Sequence, residues 1–231
     1  QAKVHAPAIH DMDLDQGFLL LDDLGCEHYL DNLNKDSANT LYSDAIKTIV
    51  LMQTGAGVSS LNKYDETLLR QEMRLFTGWL LGKHLQVVLN EDQEKAIAVL
   101  FDLLVANALE QPQVFVHRDF HSRNLMLVSD NNPGVIDFQD AVLGPITYDL
   151  VSLLKDCYIK WSAEEIQSWL GFYLEEYEKN NVVMEFERAQ FLRWFDLMGV
   201  QRHLKASGIF ARLSHRDGKH GYLKDVPRTL S

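Results

Sequence analysis

The stretch Val114–Leu150, VFVHRDFHSRNLMLVSDNNPGVIDFQDAVLGPITYDL, places short apolar runs around a group of polar side chains. Its apolar residues at 114–116 predict a strand, and two further runs at 125–128 and 134–137 predict the arms of a β-hairpin. The letters SDNNPG between these arms supply asparagine, proline and glycine, which are typical of a tight turn. The stretch therefore predicts a strand, a loop and a hairpin, in that order.

Three oxygen-bearing side chains lie at the ends of these predicted elements. Asp119 and Asn124 lie on the loop between the strand and the hairpin, and Asp137 lies where the second arm ends. Asn124 and Asp137 fit the oxygen ligands of Mg²⁺, while Asp119 is placed to accept a proton from a substrate hydroxyl. Loop aspartates more often only cap turns. The spacing H-x-D-x₄-N, followed by a hairpin that ends in VIDF, favours the catalytic interpretation.

The composition is that of a globular protein with an acidic surface. Among 231 residues, 46% are hydrophobic and 24% are charged, which is enough to bury a substantial core. No apolar run reaches the roughly 18 residues of a membrane helix. The two cysteines, Cys26 and Cys157, are too few for a disulfide framework, so we expect a cytoplasmic protein with buried thiols. The net charge of −11 argues against a nucleic acid or a membrane surface as partner.

The carboxy-terminal part departs from this acidic balance. Residues 181–231 carry nine lysines and arginines against five acidic residues. Such a bias usually marks a solvated face, but contacts to a carboxylate or a phosphate on a substrate would require the same residues. Both interpretations stay open, and Arg202 is a candidate for the substrate contact.

The segments outside the central stretch have a mostly helical pattern. Phe18–Leu21 predicts a short buried strand that runs into a turn at 22–25. Elsewhere apolar residues recur every three to four positions, which is typical of helices that pack against a core. The fold class is therefore predicted as α+β, with strands in the minority. The predicted helices, with their caps, are one that starts at Asp36 or Ser37 and ends at Gly55 or Gly57, then 65–80, 90–108, 147–154 capped by Thr147, one opening at Ser162, and 185–206 ending at Gly208.

The motif VHRDFHSRN, followed by GVIDFQD, resembles the catalytic loop and metal-binding segment of the phosphotransferase branch of the protein-kinase-like superfamily. That branch includes aminoglycoside phosphotransferases and choline kinases. More narrowly, HRDFHSRNLM, VIDFQDAVLGPITYDLVSLLKDCYI and RDGKHGYLKDVPR look like the bacterial anomeric sugar kinases of cell-wall recycling. These enzymes phosphorylate the C1 hydroxyl of N-acetylmuramate and N-acetylglucosamine. The resemblance implies an ATP-dependent phosphotransferase of protein-kinase-like fold, mainly the helical C-terminal lobe with a catalytic-loop hairpin.

The resemblance also implies roles for individual residues. Asp119 would be the catalytic base, and Asn124 and Asp137 would be the Mg²⁺ ligands. FLLLDDLG resembles the hinge whose backbone takes the adenine of ATP. The hinge residues would be Leu21, Asp22, Asp23 and Leu24.

Further residues would support the reaction centre or meet the sugar. Asp149, in YDL, resembles the buried aspartate that ties the catalytic loop in place, and His117 looks structural. The candidates for contact with the substrate are His121, Arg123, Gln139 and Arg202.

The sequence departs from the family pattern before the hinge, where it has no glycine-rich phosphate loop. We therefore expect residues 1–25 to be a remnant of the β-rich N-terminal lobe with the hinge, and residues 26–231 to be the helical C-terminal lobe. Such a fragment could lack activity of its own. Two alternatives to an amino-sugar kinase stay open: an aminoglycoside or choline-like phosphotransferase, and a non-catalytic nucleotide-binding or scaffold module of the same fold.

Overall fold

The computed structural model describes residues 4–180 and 186–231, and helices make up most of these residues. The predicted α+β class, with strands in the minority, is confirmed. In chain order the elements are β1 Ile9–Asp13, β2 Phe18–Leu21, α1 Tyr29–Asn32, α2 Ala38–Gly55, α3 Glu66–Leu75, a π-helix Phe76–His84, α4 Glu91–Leu109, β3 Gln113–Val116, β4 Leu125–Met126, β5 Gly134–Val135, β6 Val142–Pro145, α5 Tyr148–Leu154, α6 Ala163–Lys179, α7 Arg188–Asp217, a 3-10 helix His220–Asp225 and α8 Val226–Thr229.

The strands form three separate antiparallel pairs. In the predicted hairpin, Leu125 pairs with Val135 and Met126 with Gly134, so its arms are shorter than expected. Strand β3 pairs with β6, which the sequence pattern did not predict, and this pairing brackets the whole loop and hairpin between residues 116 and 142. The loop is therefore anchored at both ends by one short ribbon.

The core lies where α2, α5, α6 and α7 pack together beneath this ribbon. The helical period expected of α2 is confirmed, because Ala45, Ile46 and Ile49 are fully buried. The ring of Tyr42 meets Trp161 and Trp169 edge-on, which is the favoured geometry for aromatic pairs. These contacts join α2 to the start of α6.

The prediction that Phe18–Leu21 is buried is wrong. Every side chain of β2 is exposed, including Phe18 at 66% and Leu20 at 62%. The reason is that, among the described residues, β2 pairs only with β1, and an isolated two-stranded ribbon has no second layer to bury its faces. Cys26, which was expected to be buried, is also exposed, whereas Cys157 is buried as expected.

Two helix predictions also need correction. The predicted helix 65–80 ends as an α-helix at Leu75 and continues as the π-helix Phe76–His84. Gly208 does not end α7, which continues to Asp217 and is capped by Gly218 in the left-handed conformation. The predicted start at Glu185 lies outside the described residues.

Two of the predicted N-terminal helix caps are confirmed, whereas the predicted cap at Asp36 or Ser37 is wrong, because Ser37 makes no side-chain cap hydrogen bond to α2. Asn90 and Ser162 form full capping boxes with Gln93 and Glu165. The prediction for Thr147 is wrong, because its hydroxyl donates to the Gln111 side chain at 2.8 Å instead of capping α5. Across residues 4–180 and 186–231, no helix combines the length and the hydropathy that a membrane crossing would need.

Candidate active site

The three oxygen-bearing residues of the central stretch meet in one place. The Asn124 side-chain nitrogen donates to the backbone oxygen of Asp119 at 3.0 Å and to the Asp137 carboxylate at 3.2 Å. All three residues line one cavity of about 320 Å³. The convergence that the sequence predicted is therefore present, while the roles of the three side chains stay predictions.

Asp149 holds the start of the loop, as the resemblance implied. Its carboxylate, fully buried, accepts hydrogen bonds from the backbone N–H of His117 at 2.7 Å and of Arg118 at 3.0 Å. Arg118 adopts a left-handed backbone with φ of 76°, which few non-glycine residues do. Burial raises the pKa of Asp149. The hydrogen bonds from the two N–H groups lower it but do not offset the burial, so the pKa is about 7.

A buried charge network fixes the Arg118 side chain. Its guanidinium contacts Glu72 of α3, and Glu72 also accepts from Tyr64 and pairs with Lys205 of α7 at 3.0 Å. Burial raises the pKa of Glu72, but Lys205, Tyr64 and Arg118 outweigh it and lower the pKa overall. The ionised carboxylate therefore ties two helices to the loop.

Asp156 supports the middle of the loop, and sequence reasoning missed it. Its carboxylate accepts from the Ser122 hydroxyl at 2.6 Å, from the Ser122 N–H at 3.0 Å and from the Tyr158 N–H at 3.0 Å. The available signal was an acidic residue two positions after the apolar helix α5 and directly before an apolar stretch, because an acidic residue next to a core needs hydrogen-bond partners for its oxygens. Two buried aspartates, Asp149 and Asp156, therefore hold the loop in place by hydrogen bonds.

The residues predicted to contact the substrate separate into two groups. His121, Arg123 and Arg202 line the 320 Å³ cavity. Gln139 instead donates to Asp137 at 2.8 Å and lines a different cavity of about 420 Å³, together with His117. Burial lowers the pKa of His117 to about 4, so the ring is neutral at neutral pH, as a structural histidine requires.

The cavity has an aromatic wall, formed by Tyr158, Phe210 and Tyr222, that the sequence did not reveal. Phe210 stacks on Tyr222 with ring centroids 5.7 Å apart, and the Arg123 guanidinium lies 3.7 Å from the centre of the Tyr158 ring. Tyr222 belongs to the carboxy-terminal 3-10 helix, so the end of the chain helps to close the cavity. Arg228 fastens that end by donating to the backbone oxygens of Cys157 and Tyr158.

The electrostatics of the cavity favour an ionised Asp119. Burial raises the pKa of this carboxyl, but Lys205, Arg202 and two histidines outweigh it and lower the pKa overall. Burial also lowers the pKa of His121, which keeps its ring neutral near pH 7. Of the basic tail, Arg202 and Lys205 line the cavity whereas Arg216 is exposed, and contact of the tail with a substrate stays a prediction.

The predicted hinge residues lie outside the 320 Å³ cavity. Leu21 ends β2, and Asp22, Asp23 and Leu24 line a separate open cavity of about 480 Å³ with residues 127–130. The Asp22 carboxylate accepts from the Ala8 N–H at 2.9 Å, and the Asp23 carboxylate accepts from the Gly25 N–H at 2.8 Å. The Asp23 carboxylate therefore closes the turn, and the Asp22 carboxylate links the turn to the segment that leads into β1.

The side-chain oxygens of Asn124 and Asp137 fit the ligand preference of Mg²⁺. The side-chain nitrogen of Asn124 makes both side-chain hydrogen bonds of that residue, so the side-chain oxygen is available to a cation beside the Asp137 carboxylate. Residues 4–180 and 186–231 contain no group of three His, Cys, Asp or Glu side chains that could hold a metal by themselves. One carboxylate and one amide oxygen match an ion that takes its remaining ligands from phosphates and water.

Comparison with known proteins gives close relatives. The chain matches the phosphotransferase enzyme family over residues 1–190. It is 48% identical over 227 residues to the N-acetylmuramate/N-acetylglucosamine kinase of Pseudomonas putida, covering 98% of this chain and 67% of that protein. It is 40% identical over 232 residues to the protein of the same name from Neisseria meningitidis, covering 99% and 69%. The chain thus spans about two thirds of the length of these relatives.

Solved structures share the fold. Plasmodium vivax ethanolamine kinase matches with a TM-score of 0.69 at 12% identity, over 99% of this chain and 67% of that one. An ADP-bound aminoglycoside phosphotransferase matches with a TM-score of 0.61 at 16% identity, over 100% and 76%. These likenesses confirm the predicted protein-kinase-like fold. Because the family match covers most of the chain and relatives align at up to 48% identity, this chain belongs to the phosphotransferase enzyme family.

Proposed function

We propose that this protein transfers the γ-phosphoryl group of ATP to the C1 hydroxyl of N-acetylmuramate and N-acetylglucosamine. The observation that carries the proposal is the meeting of Asp119, Asn124 and Asp137 in one cavity, in a chain 48% identical to a kinase named for these two sugars. The predicted enzyme class, a phosphotransferase, is confirmed by the family.

Asp119 is the proposed base. Its carboxylate lies in the cavity with its pKa lowered, so it is ionised and can accept a hydrogen bond from the sugar hydroxyl. In phosphoryl transfer of this kind the protein mainly aligns the reactants and neutralises charge. Asp149 and Asp156 contribute by keeping the loop that carries Asp119 in one conformation.

Asn124 and Asp137 are the proposed ligands of Mg²⁺. The ion, when bound, supplies positive charge to the phosphates of the nucleotide. Gln139 donates to the second oxygen of Asp137 and so orients this carboxylate rather than contacting the sugar.

Residues 1–25 are proposed to belong to a β-rich lobe that carries the adenine hinge at 21–24. The support for this division is the exposure of apolar side chains on β1 and β2, including Ile9, Met12 and Leu19. Apolar side chains on both faces of a ribbon are what one expects where further strands or a second layer cover it. Residues 26–231 then form the helical lobe with the catalytic loop.

Charge favours an amino sugar over an aminoglycoside or choline. Arg123, Arg202 and Lys205 all line the cavity, and a polycationic or quaternary ammonium acceptor would be repelled by them. Arg123 and the aromatic wall suit the polar edge and the apolar face of a sugar ring. We therefore propose His121, Arg123 and Arg202 as acceptor-side residues.

A coupled assay of ADP release tests the proposal. The enzyme with its complete N-terminal lobe would be assayed with N-acetylmuramate, N-acetylglucosamine, kanamycin and choline. We expect turnover with the two amino sugars and with neither of the other acceptors. Turnover with kanamycin or choline alone would contradict the proposed acceptor. ATP binding without turnover of any acceptor would favour the non-catalytic module.

A further inference from the structure

Arg202 is a buried cation that makes no ion pair with a carboxylate of the described residues. Its side chain lies on α7 with only 5% of the residue exposed. Its one side-chain hydrogen bond is to the sulfur of Cys157 at 3.6 Å, and within residues 4–180 and 186–231 no carboxylate oxygen lies within 4.0 Å of the guanidinium. Burial lowers the pKa of Arg202, but nearby acidic groups, Asp156 and Asp119 among them, outweigh it and raise the pKa overall. None of these carboxylates pairs with the guanidinium directly, and a buried charge without a direct partner is costly. The guanidinium is therefore expected to meet an anion when the cavity is filled.

Lys205 lies three residues further along α7 and lines the same cavity. In contrast to Arg202, its ammonium group is fixed, because it pairs with Glu72 at 3.0 Å and donates to the Tyr148 hydroxyl at 2.8 Å. Glu72 is shared with Arg118, so it does not neutralise Lys205 completely. The two cations lower the pKa of Asp119, which indicates that both lie near this carboxylate.

The catalytic loop contributes one cation to the cavity, Arg123, which lies against the aromatic wall. Burial lowers the pKa of His121, so its ring is neutral near pH 7. The guanidinium of Arg123 is stacked on the Tyr158 ring and lies 5.6 Å from the centre of the Tyr222 ring. The cationic side chains beside Asp119 therefore come from α7.

We propose that Arg202 and Lys205 form an anion subsite that holds the phosphoryl group during and after its transfer to the sugar. This inference rests on the proposed kinase function. In the transfer step a bond forms between the C1 oxygen and the γ-phosphorus, and the bond from that phosphorus to the bridging oxygen of ATP breaks. The hydroxyl proton passes to Asp119, and ADP leaves with the electron pair.

A phosphoryl group explains Arg202 better than the carboxylate of the acceptor does. The relatives are named for one sugar with a carboxylate and one without. If Arg202 served only that carboxylate, its charge would stay buried and unpaired with the neutral sugar. The phosphoryl group is common to both reactions, and it passes beside Asp119 in both.

Steady-state kinetics of Arg202→Met separate these two explanations. We expect kcat to fall on the order of 100-fold with both sugars, as for the loss of one transition-state donor, with KM for each sugar nearly unchanged. The matched control is Arg216→Met, which removes the same charge from the same helix at an exposed site paired with Asp217. The control should keep normal kinetics. A loss confined to KM for N-acetylmuramate would overturn the proposal.

Binding of inorganic phosphate provides a readout that does not depend on sugar turnover. By isothermal titration calorimetry, phosphate should bind the wild-type enzyme in the absence of nucleotide, and Arg202→Met should weaken binding at least about tenfold, the equivalent of one charge-assisted hydrogen bond. Arg202→Lys keeps the charge and should retain intermediate affinity, which covers the case in which the methionine variant does not fold. Equal phosphate affinity in wild type and both variants would overturn the subsite. Phosphate binding that depends on Arg202, without turnover of any sugar, would overturn the kinase function and leave the subsite standing.

Discussion

At the scale of single residues, the backbone of Arg118 determines where Asp119 points. Its left-handed conformation is unfavourable by about 1 kcal/mol or more for a side chain of this size. The two hydrogen bonds from the loop backbone to Asp149 hold it there. The resemblance of YDL to a known motif identified Asp149 from the sequence, but no sequence pattern predicts the left-handed arginine.

The proposed base makes a first prediction. Asp119→Asn should lower kcat on the order of 10²- to 10⁴-fold, because the amide cannot accept the hydroxyl proton. The thermal unfolding midpoint should change little, since the side chain borders a cavity and does not fill the core. The control is Asp36→Asn, at an exposed position before α2. Normal turnover by Asp119→Asn would refute the assignment of the base.

His117 makes a second prediction, which concerns pH. Burial lowers the pKa of the ring from about 6.5 in the unfolded chain to about 4 in the folded one. Between these values the unfolded state binds the extra proton, so the folded state loses stability as pH falls. Relative to His117→Asn, the wild-type protein should lose about 3 kcal/mol of unfolding free energy between pH 7 and pH 4. Urea unfolding across this range measures the difference, and a constant difference would contradict the buried neutral ring.

At the scale of elements, the contact between α7 and the π-helix depends on Gly208. A Cβ atom at this position would lie 2.3 Å from the carbonyl carbon of Leu75 and 2.5 Å from the Phe76 nitrogen. These are backbone atoms, which cannot move aside as a side chain can. The glycine therefore permits two helices to cross at the point where α3 becomes the π-helix.

Gly208→Ala should therefore destabilise the protein by about 3 kcal/mol, the upper end of the usual range for overpacking. The matched control is Gly171→Ala in α6, where an added Cβ meets nothing within 4 Å. This control should stabilise the protein by about 0.5–1 kcal/mol through helix propensity. Denaturant unfolding of both variants measures these changes. Equal effects on stability would show that helix propensity, and not the crossing, decides at position 208.

The same contact explains why sequence reasoning placed the end of α7 too early. A glycine after an apolar periodic segment usually marks a helix end, and the sequence alone does not show a second helix passing over it. The capping boxes at Asn90 and Ser162 were predictable because every atom of such a box lies within four residues. Strand β6 was not predictable, because its partner β3 lies about thirty residues away in sequence.

At the scale of the whole molecule, the chain combines a packed helical body with the exposed two-stranded ribbon of β1 and β2. The site combines residues from two parts of the sequence. Asp119, Asn124 and Asp137 come from one short stretch and were predicted together. Arg202, Lys205 and Tyr222 come from segments some eighty to one hundred residues later. Composition showed that the tail is basic, but only the packing of α7 against the loop shows which cations reach the cavity.

The exposed ribbon makes a prediction about this 231-residue polypeptide. Replacing Phe18 and Leu20 together by serine should reduce self-association in analytical ultracentrifugation, because it removes an exposed apolar surface. The thermal unfolding midpoint should stay nearly constant, since neither side chain lies in the core. In the enzyme with its complete β-rich lobe, the same replacements should lower the midpoint. Equal effects in both proteins would contradict the proposed division at residue 25.

The two thiols differ in a way that is useful for experiments. Cys157 is buried and burial raises its pKa, whereas Cys26 is exposed and lies one residue beyond the turn at 22–25. A maleimide reacts with an accessible thiolate, so it should label Cys26 selectively. One fluorophore would then sit beside the proposed adenine hinge of the unmutated protein, where its emission could follow nucleotide arrival and departure in real time.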